Sequence, residues 1–562
     1  MMRQAFFSAK ITAIILGILA GETVSFASGT SEVLRGSDAH DVVHEAPWRQ
    51  GDMDKVLAEA EREHQPILVY WGAVWCPPCN ELKAEVFSHP KFNDLIKPLI
   101  AVYLDGDQSN AQTWGETLKI SGYPTVLLLG PKGEEWMRLT ASTDFQEFQA
   151  SLSTAIAAAG PATEALAHVE SGNATENDWK LLAHNQWSAA SALKMTPEVA
   201  LKKHAALIKG IPSKLKVEQA LLAAAALSAV TSAIQALEAV PVAGQAAVAA
   251  VPIKTKSEGL EDEKLRAALE AVRADVPRWL TIILADQESV RSASNFIIWE
   301  GADLVSWLEP VNNNSRQTLE SRILSSMSDF SKDKTTSTLN RLLSINPKIK
   351  FAVSKMTPDS KPSSLPAVLI KEVRGAVALA DHDANSRYDR HAVVSEAADF
   401  LIQVGDFAGA RSLLVRELKK TNTPWYYQGS LANLEQNAGR ISEALKWSSA
   451  ARVSAKGRAT RIQWIVSDLS MMSELTKPAD KKNVGQLAKV VAEYYDTAFT
   501  EIDGFAGRNK VRASRVVKSL RPWVDKPLVN AQILAQILAA GKRCATLTEG
   551  KKACEEHFTA LR

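Results

Sequence analysis

Two cysteines separated by two prolines, Cys76-Pro77-Pro78-Cys79, are the residues of this 562-residue chain whose type and spacing most directly imply chemistry. A thiolate attacks a disulfide sulfur, and a second thiol three residues behind is near enough to resolve the mixed disulfide that forms. The pair follows Ile67-Leu68-Val69-Tyr70, a short run, β-branched and aromatic, that reads as a buried strand. It precedes Leu82, Val86 and Phe87, apolar residues at helical spacing. The motif thus sits where a strand hands over to a helix. Cys76 falls at a helix N-terminus, where free N–H groups and the dipole favour thiolate over thiol. The rival use of such a pair is half of a zinc site. Cys544 and Cys554 do not form a second C-x-x-C, and prolines fill both intervening positions, so no metal is expected.

Residues 48–152 resemble a thioredoxin-fold domain. The resemblance is carried by Trp75-Cys76-Pro77-Pro78-Cys79 and by Gly122-Tyr123-Pro124-Thr125, which leads into the apolar run Val126-Leu127-Leu128-Leu129. Glu85-Val86-Phe87-Ser88-His89-Pro90 and Leu104-Asp105-Gly106-Asp107 are most similar to periplasmic reducing domains of the thiol:disulfide interchange group. In that fold an X-Pro peptide faces the cysteine pair and is cis, which implies the same for Tyr123–Pro124; an ordinary trans turn is the alternative. The resemblance implies that Cys76 attacks, that Cys79 resolves, and that Trp75, Tyr123 and Pro124 shape the substrate contact. It also implies protein disulfides as substrates, a thiol protein as electron donor and no organic cofactor. Pro78 beside Cys79, where strongly oxidising relatives carry His, points to reduction or isomerisation. One departure stands out. The family's buried Asp corresponds to Tyr70 and its partner Lys to Ala101, so Glu81, Glu85 or water takes over, or resolution is slower.

Met53, Val56, Leu57 and Ala60 recur at helical spacing and predict a first helix over 52–64. Strands follow at 67–70, 99–104, 124–129 and 136–139, with helices after Cys79, over 111–120 and over 144–159. This β-α-β-α-β-β-α order is that of an α/β thioredoxin fold over residues 48–160. Gly160-Pro161 then marks a boundary.

The surrounding chain sets the context. With 65 basic against 63 acidic residues, net charge gives no reason to expect nucleic acid. Arg3 and Lys10, the uncharged segment 11–21 and Ser25-Phe26-Ala27 read as a signal peptide over 1–27, cleaved near Ala27–Ser28; an uncleaved anchor is the alternative. The expected product is periplasmic, without a membrane span. A redox pair there either oxidises substrates or needs an external electron supply. Residues 28–47 form a polar leader in which His40 and His44 have metal-ligand spacing but no further ligands, so a solvated segment is expected.

Beyond residue 160 no strand is expected. Helical regions over 161–355 and 366–562 are separated by the breaker cluster that ends at Pro366, and 241–252 reads as a loop. Residues 220–237 carry no charge, yet Ser228, Thr231, Ser232 and Gln235 make a helix buried in a bundle the better reading than a membrane span. Gly405-Asp406-Phe407-Ala408-Gly409-Ala410 recurs as Gly439-Arg440-Ile441-Ser442-Glu443-Ala444, and Ala398 matches Ala432 at the same offset of 34. That period resembles tetratricopeptide repeats over about 394–455, which stack into concave protein-binding surfaces. Glu435, where an apolar residue is usual, leaves a generic helical hairpin array open.

Cys544 and Cys554 are expected to form a structural disulfide; a second dithiol exchanging with Cys76 and Cys79 is the alternative. Two function classes remain. One is a thiol–disulfide oxidoreductase with a helical partner-binding region. The other is a helical scaffold whose redox pair senses or tethers a partner.

Overall fold

The computed structural model describes residues 48–561 apart from 51, 74–75, 107, 121, 141–143, 186, 188–194, 239–255, 310–313, 357–363, 502–503, 507–508, 525–530 and 548–549. The signal peptide, the leader with His40 and His44, Trp75, the 241–252 loop and the breaker residues 357–363 lie outside the described residues. Arg49–Leu413 is one compact unit, and Leu414–Arg562 belongs to a second.

The first unit opens with a mixed five-stranded sheet in the order β1-β3-β2-β4-β5. Its strands are β1 Arg49–Gln50, β2 Ile67–Gly72, β3 Ile100–Asp105, β4 Thr125–Leu129 and β5 Glu135–Leu139. Strand β2 is central and buried throughout, parallel to β3 and antiparallel to β4. Alternation along the strands divides the core. Ile67, Val69 and Trp71 join Val102, Leu104 and Leu127 against Met53, Val56 and Ala60 of helix α1 (Met53–Glu63). On the other face Tyr70 stacks on Tyr103 at 5.2 Å and meets the edge of Phe87 at 4.8 Å.

Helix α2 (Pro77–Leu82) continues as a π-helical turn, Lys83–Phe87. Helices α3 (Phe92–Ile96), α4 (Ser109–Thr117) and α5 (Phe145–Ala158) complete this part. The predicted order holds, with β1, α3 and the π-helical turn added. The chain turns at Gly160–Pro161, where Pro161 starts the next helix, and packing continues across the turn. Ser151 of α5 lies 3.4 Å from His184 Nδ1 of the helix Glu176–His184.

From Ala162 onward, twenty-two α-helices follow among the described residues. The segment Lys216–Leu237 is long and apolar enough to cross a membrane, but half of it is buried within the unit. Its hydroxyls are used there. Ser228 donates to a Glu300 carboxylate oxygen at 2.9 Å, and Thr231 donates to the other oxygen. The turns 34 residues apart share one backbone form. Gly405 and Gly439 have φ of 78° and 73°, and the N–H groups of Asp406 and Arg440 return to the carbonyls of Leu401 and Glu435. Ala398, Ala432, Ala410 and Ala444 are all buried. Glu435, the misfit in the repeat, is buried as an ion pair with Arg440.

The second unit packs Leu469, Leu487, Val491, Tyr494, Tyr495, Val516 and Leu520 into one core, and the Cys544–Cys554 disulfide closes within it. His557 is buried there, its Nε2 3.2 Å from the Tyr495 hydroxyl, and burial pushes its imidazole down to about 4. The ring therefore stays neutral in the fold, whereas the unfolded chain takes up a proton near pH 6.5. Stability from this group is complete above that pH and is lost as pH falls towards 4, by roughly 3 kcal/mol at most. Hydrogen exchange in the helices Lys481–Thr500 and Lys551–Leu561 should accelerate over this window, and His557→Phe should flatten the response; the same response in both proteins would contradict the assignment.

Candidate active site

Three loops meet at one end of the sheet because of strand register. Gly72 of β2 pairs with Asp105, Trp71 pairs with Thr125, and the N–H of Gly106 donates to the Gly72 carbonyl at 2.9 Å. The residues after Gly72 lead to Cys76, those after Asp105 to Gly106, and those before Thr125 are Gly122-Tyr123-Pro124. The Tyr123–Pro124 peptide is cis, Pro124 is buried and Tyr123 is partly exposed. Thr125 closes this loop by donating its hydroxyl to the Gly122 carbonyl at 2.9 Å.

Cys76 caps helix α2. Its backbone is extended, Pro77 occupies the first helical turn, and the Cys79 N–H donates to the Cys76 sulfur at 3.1 Å. Proline suits that position because its missing N–H would have had no intrahelical acceptor. A sulfur accepting an N–H at the positive end of a helix is favoured as thiolate. Cys76 and Cys79 form a disulfide with Cα atoms 5.1 Å apart, and their exposures are 2% and 0%. Pro78 between them is exposed.

Two close approaches shape the surroundings. A Cβ on Gly106 would lie 2.1 Å from the Tyr123 hydroxyl oxygen, and one on Gly72 would lie 2.2 Å from that of Tyr70. Tyr123 thus occupies space that only glycine leaves, with its ring 6.0 Å from that of Trp71. Tyr70, at the position of the family's acid, is wholly buried with its hydroxyl towards Gly72. Arg138, also buried, donates to the carbonyls of Leu118 at 2.8 Å and Lys119 at 3.4 Å, and pairs with Glu135. It fixes the end of α4, from which the chain enters the Tyr123–Pro124 loop.

Of the carboxyls considered as substitutes for the absent acid, Glu81 is buried on α2. Burial, and then the carboxylates of Asp389, Glu81 and Asp144, push Glu85 up to about 7 against the pull of Arg341. Asp389 and Arg341 belong to the helical region, so this part of the chain faces the redox helix. Sequence reasoning missed that contact, along with Arg138 and the Gly106–Tyr123 approach. Cys544 and Cys554 are buried in the second unit. Among the described residues no group of His, Cys, Asp and Glu is arranged to hold a metal ion.

A profile of the thioredoxin-like family matches residues 47–131. The chain is 29% identical over 89 residues to thiol:disulfide interchange protein DsbD 1 of Pseudomonas aeruginosa, covering 16% of this chain and 15% of that protein. It is 31% identical over 124 residues to DsbD 2 of the same organism, covering 21% of each. The DsbD of Klebsiella pneumoniae is 29% identical over 105 residues, covering 18% of this chain and 17% of that protein. The chain therefore spans about a fifth or less of the length of these relatives. A thioredoxin from Thermus thermophilus, solved in solution, is 24% identical with a TM-score of 0.19, over 20% of this chain and 91% of that one. Residues 47–131 are a thioredoxin-like domain related to DsbD, followed by a long helical region.

Gly106→Ala should force the Tyr123 ring out of its place. Thiol–disulfide exchange of the Cys76–Cys79 pair with a protein disulfide should slow about tenfold or more if this loop docks the partner, because small misplacements of a positioning group are costly. Alkylation of Cys76 by a small reagent should stay within twofold. Unchanged exchange, or equal loss of both, would show that Gly106 does not act through Tyr123.

Proposed function

We propose that the chain is an exported thiol–disulfide oxidoreductase acting on protein disulfides, as a reductase or isomerase. The observation that carries this reading is the Cys79 N–H donated to the Cys76 sulfur at a helix start, at the same sheet end as Pro124. Relatedness to DsbD over the same residues supports it. Export is supported by the charged-then-apolar pattern of residues 1–27.

In the reduced chain, the Cys76 thiolate attacks one sulfur of a partner's disulfide. A Cys76–partner disulfide forms and the partner's other sulfur leaves as a thiolate, which takes up a proton. Cys79, deprotonated, then attacks the Cys76 sulfur, closing Cys76–Cys79 and releasing the second partner thiol. Two electrons pass to the partner. A thiol protein acting as donor reopens the pair by the same steps in reverse. Trp75, Tyr123 and Pro124 form the substrate contact, where an extended segment pairs with the backbone beside Pro124. The helical region recruits partners. Its 34-residue recurrence, with matching glycine turns and buried alanines, supports repeats of the tetratricopeptide kind. Cys544–Cys554 serves as a clamp, in keeping with the burial of both residues.

A second reading, a scaffold whose redox pair tethers a partner, draws on the low exposure of Cys76. The two separate on turnover. Full-length reduced protein should reduce insulin repeatedly when supplied with dithiothreitol. Cys79→Ala should accumulate a stable mixed disulfide at Cys76 and lose turnover at least a hundredfold. A mixed disulfide in Cys79→Ala without turnover in the natural sequence would favour the tether, and absence of both would end the exchange reading.

A further inference from the structure

Helix α2 and its π-helical extension are buried on more sides than the sheet accounts for. Cys79, Leu82 and Val86 face the core, but Asn80, Glu81 and Lys83 are buried as well. The additional cover is the helix Arg387–Gln403 of the helical region, which packs along α2. Lys83 is the notable member of the group, since its side chain is 1% exposed. A buried ammonium is costly unless its surroundings favour the charge. Its Nζ lies 5.7 Å from the ring centroid of Tyr388, within range for a cation–π contact.

Helical geometry fixes the relation of Lys83 to the dithiol. The Lys83 N–H donates to the carbonyls of Cys79 and Asn80, so it stands one turn behind Cys79. Residues four apart share a helix face, and the Cα–Cβ bond tilts towards the N-terminus, the direction of Cys79 and Cys76. The charged groups nearby are otherwise mostly acidic. Glu81 and Glu85 lie on the same helix, Asp389 on the covering helix and Asp144 at the start of α5. Arg341 is drawn to Asp383 at 3.1 Å, and Arg291 lies 3.9 Å from Asp144. Lys83 is thus a buried cation one helical turn behind Cys79, on the helix that carries a dithiol whose reactive form is anionic.

We propose that Lys83 is a positioning residue of the redox centre, held by Tyr388 of the helical region, and that its charge favours the thiolate form of the Cys76–Cys79 dithiol. The helical region then contributes to the acidity of the pair. This assignment takes its purpose from the exchange reading, but thiol ionisation is measurable without turnover.

The test uses the full chain, reduced. The pH dependence of Cys76 alkylation and of thiolate absorbance gives ionisation, and equilibration with glutathione gives the redox balance. In Lys83→Met the pH of half-ionisation should rise by about one pH unit, as expected for losing a nearby opposite charge. Because the reduced state loses its stabilised thiolate, the equilibrium should move about tenfold towards the disulfide. Lys83→Arg should stay close to the natural protein. Tyr388→Leu should shift both quantities in the same direction as Lys83→Met, by less, and Tyr388→Phe should not. Unchanged ionisation in a folded Lys83→Met overturns the proposal. Should Lys83→Met fail to fold, Tyr388→Leu, which keeps the lysine, decides in its place: no shift there overturns the assignment. The expected shifts accompanied by no insulin reduction in any variant, natural sequence included, would remove the exchange reading and leave the charge assignment standing.

Discussion

The hydrogen bond from the Cys79 N–H to the Cys76 sulfur is the constraint around which the N-terminal part is arranged. It exists only if Cys76 is the last extended residue before a helix, which requires β2 to end at Gly72 and α2 to begin at Pro77. Proline at that first position removes a donor that would otherwise have no acceptor and fixes φ for the helix. The second proline keeps the exposed corner stiff. Strand β2 must in turn be central, because a strand buried on both faces is held in one register by its neighbours. The same register brings Pro124 and Gly106 to the sheet end from which the chain leads to the cysteine pair.

The helical region is physically part of this arrangement. A free-standing α2 with its π-helical turn would turn Asn80, Glu81 and Lys83 to water, whereas here all three are buried and the helix Arg387–Gln403 packs against both elements. That helix is itself anchored. Ser386 and Asp389 form a reciprocal cap at its start, and Arg390 reaches back to Asp381 at 2.8 Å. Burying polar groups without partners would be unfavourable, so the acidic and basic side chains on this face have to be matched across it. Glu85, pushed towards neutrality among other carboxyls, shows the outcome when burial and like charge act together.

The parts legible in the sequence were those written in local pattern. The run Ile67-Leu68-Val69-Tyr70 reads as a strand because it is short, apolar and β-branched, and the cysteine pair follows it directly. The glycine turns at 405 and 439 repeat in both composition and backbone. By contrast, β1 has two residues and α3 five, too few to show a period. The contact of Lys83 with Tyr388 joins segments far apart in the chain, and nothing local distinguishes Lys83 from a solvated lysine. Glu435 spoils the repeat pattern in sequence, and its reason, Arg440, appears only once the turn is folded. Gly106 offers a residue type but no hint that Tyr123 fills the space beside it.

The central claim is that Cys76–Cys79 is a working redox couple while Cys544–Cys554 is a fixed clamp. It is tested most directly by equilibrating the full chain in graded glutathione or dithiothreitol buffers and mapping labelled thiols by mass. The account predicts that Cys76 and Cys79 open together as a two-electron couple in mild reductant while Cys544 and Cys554 remain bonded until the second unit unfolds. Opening of Cys544–Cys554 at the same potential in folded protein, or a Cys76–Cys79 pair that stays closed until the chain unfolds, would contradict it.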